Sequence, residues 1–214
     1  MRYPKDQKEK TRRHIIESVS IALRRDGIAA SSIVPLMKEA GLTQGAFYKI
    51  FASRDELLAE AILFAMSQTR SLARQWIADA RTAGENPIAR LIDEYLHERR
   101  LTNWAKGCPI AALGAELWRQ SDTVRRAVSE ASAETLDVIS LELPPTRKNN
   151  ARALYMLMAG VLSSARLAVT REEQIAILAD GRRSARFLAG CEPEPTSPEV
   201  APTDRRAHSL YRQN

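Results

Sequence analysis

"GLTQGAFYKIF", residues 41–51, is the stretch on which the reading of this chain turns. It opens on a glycine and holds a second, Gly45, where helical spacing is already running. A glycine inside a helix costs about 1 kcal/mol against alanine, so its presence argues for something that needs the space. Leu42, Phe47 and Phe51 fall to one side and read as anchors to a core. Thr43, Gln44, Gly45, Ala46, Tyr48 and Lys49 are left as an outer face. Two readings stand: an ordinary helical hairpin with its remaining residues solvated, or a surface built to touch a partner.

Working outward, Gly41 closes a helix that begins after Ser31 and Ser32. Ser32 is its expected N-cap, and Pro35 falls in the first turn, where a missing N–H does little harm. Ile33, Leu36, Met37 and Ala40 share one face of it. Upstream, a helix over about residues 8–25 carries Ile15, Val19, Ala22 and Leu23 at i, i+4, i+7 and i+8, and Gly27 stops it. Downstream, Thr43 caps a short helix ending near Tyr48. In "SRDELL", Ser53 and Glu56 have capping-box spacing. The helix they open reaches about residue 80, with Leu58, Ile62, Ala65, Leu72 and Trp76 along one side.

"TAGENP" breaks the chain, and Asn86 with Pro87 reads as N-cap and first residue of a further helix. A loop lies around residues 102–107, followed by helices over about 109–120 and 122–141. "LPPTRKNN" is another break. Two helices, about 147–169 and 171–189, close the fold, the second opened by the pair Thr170 and Glu173. Period-two alternation is nearly absent, so the expected fold class is all-α with about nine helices. The expected organisation is a three-helix unit over residues 1–53, a larger helical unit over 54–190, and a tail over 191–214. The tail is rich in proline and polar residues, which cannot bury enough apolar surface to order themselves.

The net charge of +6 tilts the reading toward a polyanionic partner. Its placement agrees. Ahead of His14 stand Arg2, Lys5, Lys8, Lys10, Arg12 and Arg13 against only Asp6 and Glu9. Two cysteines, Cys108 and Cys191, are too few for a disulfide framework and suit a reducing compartment. No apolar segment follows the basic N-terminus, and the longest apolar run, 153–162, falls short of the roughly 20 residues a membrane span needs. The expected location is the cytoplasm, with no membrane partner.

Three short helices, a tight glycine turn between the second and third, and then a long helix make a helix-turn-helix. Gln can pair bidentately with adenine and Thr can touch a thymine methyl, so Thr43 and Gln44 are suited to base edges. Gly45 and Ala46 let a duplex approach, Tyr48 and Lys49 are suited to phosphates, and Arg54 adds a cation beside the same surface.

Residues 11–62, "TRRHIIESVSIALRRDGIAASSIVPLMKEAGLTQGAFYKIFASRDELLAEAI", resemble the DNA-binding domain of the TetR family of transcriptional regulators. The likeness rests on Gly27, Ser32, Ile33, Ala40, Gly41, Gly45, Ala46, Tyr48, Phe51, Ser53, Arg54 and Leu57 in register. It implies an N-terminal reading head, a helical ligand-binding domain and a homodimer formed by the last two helices. It further implies that Ser32 caps the second helix at a phosphate and that Thr43, Gln44, Gly45 and Ala46 face the groove. Tyr48 and Lys49 would contact backbone and Arg54 another phosphate. Two positions depart: Ile50 stands where a polar residue is common, and Met37 stands where a small alanine is usual and should crowd the packing of the second and third helices.

For the larger unit, Trp76, Tyr95, Trp104 and Trp118 offer aromatic surface to a small ligand, with His97 and Arg99 to orient a polar group. The alternative is core aromatics and a satisfied histidine. "GCPIAALGAEL", residues 107–117, resembles a segment in a subset of the family, in some of whose members the cysteine senses electrophiles or oxidants. Cys108 precedes Pro109 at a helix start with Lys106 close by, which favours a thiolate; the alternative is a structural thiol. Cys191 reads as incidental. The expected effector is apolar or electrophilic. The expected dimer seam comprises Met156, Gly160, Ser163, Ser164 and Leu167 with Ile175, Leu178, Ala185 and Leu188, which makes a near-palindromic operator the natural target.

The function expected from these residues is a ligand-responsive repressor, with no enzymatic activity and no cofactor. Glu94 and His97 have the i, i+3 spacing of a di-iron bundle, but neither His14 nor His208 completes a second copy. A helical interaction protein without DNA function is the other alternative.

Overall fold

The computed structural model describes residues 5–191. Among them it holds ten α-helices, two 3-10 turns and no strand. The helices are α1 (Lys5–Asp26), α2 (Ile33–Glu39), α3 (Gln44–Ile50), α4 (Arg54–Ala83), α5 (Pro87–Tyr95), α6 (Arg99–Thr102), α7 (Pro109–Leu117), α8 (Asp122–Glu142), α9 (Ala151–Leu167) and α10 (Arg171–Ala189). The all-α expectation holds. The additional helix is the single turn of α6, and α9 starts later than expected because Pro145–Asn150 winds as a 3-10 turn.

The helix boundaries follow local chemistry. Ser53 Oγ accepts from the Glu56 amide at 3.1 Å, and the Glu56 carboxylate returns to the Ala52 amide at 2.6 Å. Asn86 Oδ1 accepts from Ile88 and Ala89, and Thr170 Oγ1 from Glu173. The α2–α3 turn is closed by a Schellman pair: Leu42 N–H to Met37 O at 2.8 Å and Gly41 N–H to Lys38 O at 2.9 Å. It needs φ +69° at Gly41, a region open to glycine. Met37, expected to crowd this turn, is fully buried with its carbonyl inside it.

Two apolar cores form. The first gathers Ile15, Val19 and Leu23 of α1, Leu36 and Met37 of α2, Phe47 and Phe51, and the first turns of α4. Leu113 and Leu117 of α7 and Val124 and Ala131 of α8 also enter it, so the three-helix head packs directly onto later helices. The second core joins the far half of α4 to α5, α8, α9 and α10. Helix α4 therefore runs through both. Cys191 packs at the margin of the second core; the rest of the expected tail, 192–214, lies outside the described residues. No helix among the described residues is long and apolar enough to cross a membrane.

Candidate nucleic-acid interface

Helix α3 is held from behind. Phe47 and Phe51 are buried and stack with ring centroids 5.9 Å apart. Leu42, Ala46 and Ile50 pack against the same core half-buried. This assigns Ile50: its side chain faces inward, and its carbonyl accepts from Arg12 Nη1 at 2.6 Å. The Arg12 guanidinium also lies 4.4 Å from the Phe51 ring centroid and pairs with Glu56 and Glu60. Hydrogen bonding to Glu60 raises the Arg12 pKa, and hydrogen bonding to Arg12 lowers that of Glu56. Sequence reading counted Arg12 only as surface charge; in the structure it clamps α1, α3 and α4 together.

The opposite face is open. Thr43, Gln44, Gly45 and Lys49 are exposed, and Tyr48 is 65% exposed. Ser32 and Thr43 hold N-cap positions with extended backbone, yet neither side chain makes a capping bond. Both residues are exposed, so the first N–H groups of α2 and α3 have no side-chain cap from within the chain. A Cβ built on Gly45 meets nothing closer than Thr43 Oγ1 at 3.8 Å, so no contact within the chain demands a glycine there. Gln44 Nε2 lies 3.5 Å from the Tyr48 hydroxyl, a long contact that leaves the amide available. Arg54 also has a role within the chain that the sequence did not suggest. Its guanidinium donates to the carbonyls of Ser31, at 2.9 Å, and Ile28, at 3.2 Å, and so fastens the α1–α2 turn to the start of α4.

Helix α7 touches this head at both ends. Near its C-terminus, Glu116 Oε2 accepts the amides of Ile28 and Ala29 at 2.9 and 2.8 Å. Gly27 sits at φ +85°, a region open to glycine, and a Cβ there would fall 2.8 Å from Glu116 Oε1 and displace that carboxylate. Just before its N-terminus, the Gly107 carbonyl accepts from Arg24 Nη1 at 2.9 Å. Arg24 is buried, with Nε on the Ser20 carbonyl and Nη2 near Gln68, and burial lowers its pKa to about 10. Neither Arg24 nor Glu116 was singled out from sequence.

The expected ligand residues do not form one site. Trp76, Tyr95 and Cys108 line a chamber of about 20 Å³ behind the α7 N-terminus, with Arg100 and Lys106 also in its walls. Cys108 Sγ lies 3.5 Å from the Tyr155 hydroxyl, and the thiol is buried. Burial raises the pKa of both Tyr95 and Tyr155. The other three stand apart. Trp118 is 64% exposed with Arg119 stacked on it at 4.2 Å, and Trp104 lines a separate groove along α9 with Met156 and Gly160. His97 is exposed just beyond the C-terminal end of α5, where its Nδ1 accepts the Arg99 amide. Those three rings stand at helix ends and in the turn between α6 and α7, whose path amphipathic spacing does not describe. Glu94 is engaged by Arg99 and Arg90, and among the described residues no cluster of His, Cys, Asp or Glu is arranged to hold a metal.

On α9, Met156, Gly160, Ser164 and Leu167 form an exposed stripe. Ser163 turns inward and donates to the Ala111 carbonyl at 2.6 Å. On α10, Ile175 is exposed, but Leu178 and Ala185 are fully buried in the chain's own core. They are corrected out of the expected seam. Gly181 brings α10 so close to Val161 that the apolar stripe of α10 is consumed by α9 of the same chain.

The arrangement is a helix-turn-helix carried on an all-helical body. No protein-family model matches the chain. An uncharacterized HTH-type transcriptional regulator of Mycobacterium tuberculosis is 27% identical over 117 residues, 54% of this chain and 58% of the relative. The match thus spans little more than half the length of that relative. The HTH-type transcriptional regulator LmrA of Bacillus subtilis is 27% identical over 146 residues, 67% of this chain and 76% of LmrA. Among solved structures, reduced Escherichia coli NemR superposes with a TM-score of 0.65 at 20% identity, covering 80% of this chain and 95% of NemR. A TetR/AcrR family member gives 0.58 at 16%, covering 83% and 99%. FadR of Bacillus subtilis in complex with stearoyl-CoA gives 0.57 at 16%, covering 84% and 98%. The fold is that of the TetR/AcrR regulators, and the resemblance read from residues 11–62 holds at that level.

Proposed function

We propose that this chain is a ligand-responsive transcriptional regulator of the TetR type, acting in the cytoplasm as a repressor. The observation that carries the reading is the outer face of α3, which is anchored by buried phenylalanines and leaves Thr43, Gln44, Gly45, Tyr48 and Lys49 unspent. Residues 1–53 form the reading head, and residues 54–190 serve ligand binding and dimerisation. Two heads in a homodimer address a near-palindromic operator, one half-site each. The exposed α9 stripe of Met156, Gly160, Ser164 and Leu167, with Ile175, supports the seam.

Release follows from population shift. Helix α7 joins the Cys108 chamber to the head through Gly107–Arg24 at one end and Glu116–Ile28 at the other. A ligand that favours another position of α7 favours another head spacing, and the operator is lost. FadR of Bacillus subtilis, of the same fold, is seen with stearoyl-CoA, which supports an apolar effector. Modification of Cys108 is the second route to the same shift. The burial of its thiol means that a reagent must first open the chamber.

The test is selection of duplexes from a random library, followed by anisotropy titration across a salt series. A selected palindrome, bound with an affinity that falls steeply with salt, is the expected result. Failure to enrich any duplex at low salt would return the chain to the class of helical interaction proteins. Treatment with N-ethylmaleimide then examines the thiol: unchanged operator affinity removes Cys108 as a switch.

A further inference from the structure

The Tyr95 side chain is 6% exposed, yet its hydroxyl makes no hydrogen bond of good geometry, the Cys108 thiol beside it being only a weak partner. A buried hydroxyl left unpaired is costly, and native cores rarely keep one without a use. Tyr95 lines the small chamber behind the α7 N-terminus, so this donor is available to whatever enters. Burial raises its pKa, which keeps the hydroxyl protonated and able to donate.

The rest of the lining narrows the chemistry. Arg100 and Lys106 contribute two cations, and no carboxylate lines the chamber. The guanidinium of Arg100 is partly desolvated, which lowers its pKa, and its nearest carboxylate, on Glu94, lies 4.0 Å away. An anion at this point would relieve that desolvation. Trp76 and Leu162 make the remaining wall apolar. A volume of about 20 Å³ admits little more than a water-sized group. That excludes a phosphate and points to a compact anionic head. Thr69, Leu72 and Lys106 also line a larger groove of about 660 Å³ between α1 and α4. These three side chains are walls common to both spaces, so a body attached to the head would reach the groove by passing them, beside Glu17 and Ile21 of α1.

We infer that the chamber binds the carboxylate of a small, flat, apolar acid, its head between Arg100 and Lys106 and accepting from the Tyr95 hydroxyl, its body passing Thr69 and Leu72 into the α1–α4 groove. This deepens the effector reading above and rests on it. It adds that the effector class is a monocarboxylic acid and that its body touches the head's first helix.

The experiment is calorimetric titration of the full chain, without DNA, using sodium benzoate and its neutral isostere benzamide at constant ionic strength. Benzoate is expected to bind saturably, with benzamide at least about tenfold weaker, because hydrogen bonds and charges at a buried head are worth that much. Tyr95→Phe gives up at most the weak contact with the Cys108 thiol, so its melting temperature should change little while benzoate affinity falls about tenfold. Lys106→Gln, on the exposed side, should weaken benzoate and leave benzamide unchanged. The inference is overturned if benzoate does not bind, if benzamide binds equally well, or if neither substitution weakens benzoate. Because no operator is present, a failed DNA reading leaves this result intact, and a failed titration leaves the DNA reading intact.

Discussion

The Arg24 guanidinium donates to the Gly107 carbonyl at 2.9 Å, joining the first helix to the residue before Cys108. The bond is buried and lies between the helix-turn-helix and the small chamber lined by Cys108. Arg24→Met should lower stability by about 1–3 kcal/mol, since it leaves the buried Gly107 carbonyl without this donor. Loss of the guanidinium's own desolvation cost offsets part of this. The partner contact should prove milder: Glu116→Gln keeps an acceptor for Ile28 and Ala29 and should cost less than Glu116→Ala. Urea unfolding midpoints check both. A larger effect from Glu116→Gln than from Arg24→Met would reverse the ranking of the two contacts.

Gly45 separates stability from binding. Nothing within the chain crowds a Cβ at this position, so Gly45→Ala should stabilise the fold by up to about 1 kcal/mol through helix propensity. The same methyl group stands on the outer face and should weaken duplex binding. Thermal unfolding and anisotropy on the two proteins give opposite signs if the face is the working one. Equal duplex affinity would mean that the α3 backbone does not approach DNA.

Gln44 and Lys49 should fail in different ways. Gln44→Ala is expected to reduce discrimination at one base pair by about 1–3 kcal/mol while sparing the salt slope. Lys49→Ala is expected to weaken all sequences together and reduce the slope by about one. A competition series over single-base operator variants at several salt concentrations distinguishes them.

The residues that could be read in advance are those whose role is set by near neighbours. Ser53, Asn86 and Thr170 cap helices because their partners lie two or three positions on, and each does so. Phe47 and Phe51 are buried because helical spacing puts them on one face. Arg12, Arg24 and Glu116 escaped because their partners lie 38 to 88 residues away, and a charged side chain reads as solvated until the fold encloses it. Ile50 looked anomalous only while its face was unknown; packing makes it ordinary. Leu178 and Ala185 were misassigned for a related reason. An apolar stripe on a helix does not declare whether its partner is the same chain or another.

Acid should loosen the head through a definable group. The Glu56 carboxyl is held below its ordinary 4.5, chiefly by the hydrogen bond from Arg12 and then by the Ala52 amide. A depressed carboxyl contributes stability that is complete above its unfolded pKa and is lost as pH falls through the folded one. Unfolding midpoints should therefore be flat near neutrality and decline below about pH 4.5. Glu56→Gln removes this titration, so its decline on acidification should be shallower than that of the native chain. Parallel acid curves for the two proteins would move the effect to other carboxyls, such as Asp26 and Glu39, which Arg25 also depresses.

Gly160 and Gly181 sit on facing helices and should respond oppositely. At Gly181 a Cβ would fall 2.3 Å from Val161 Cγ1, so Gly181→Ala must push α9 and α10 apart. Overpacking of this kind costs about 1–3 kcal/mol, and the unfolding midpoint should drop accordingly. At Gly160 a Cβ meets nothing within 4 Å, because the residue lies on the open stripe of α9 with Leu167, itself 83% exposed. Gly160→Glu should therefore leave the helical content of the chain unchanged. If that stripe is the dimer seam, two glutamates brought face to face across a two-fold axis repel and lose their water, and the protein should sediment as a monomer at micromolar concentration. Operator affinity should fall with it, since one head grips only one half-site. A Gly160→Glu chain that sediments as the native one does would place the seam on another face of the molecule.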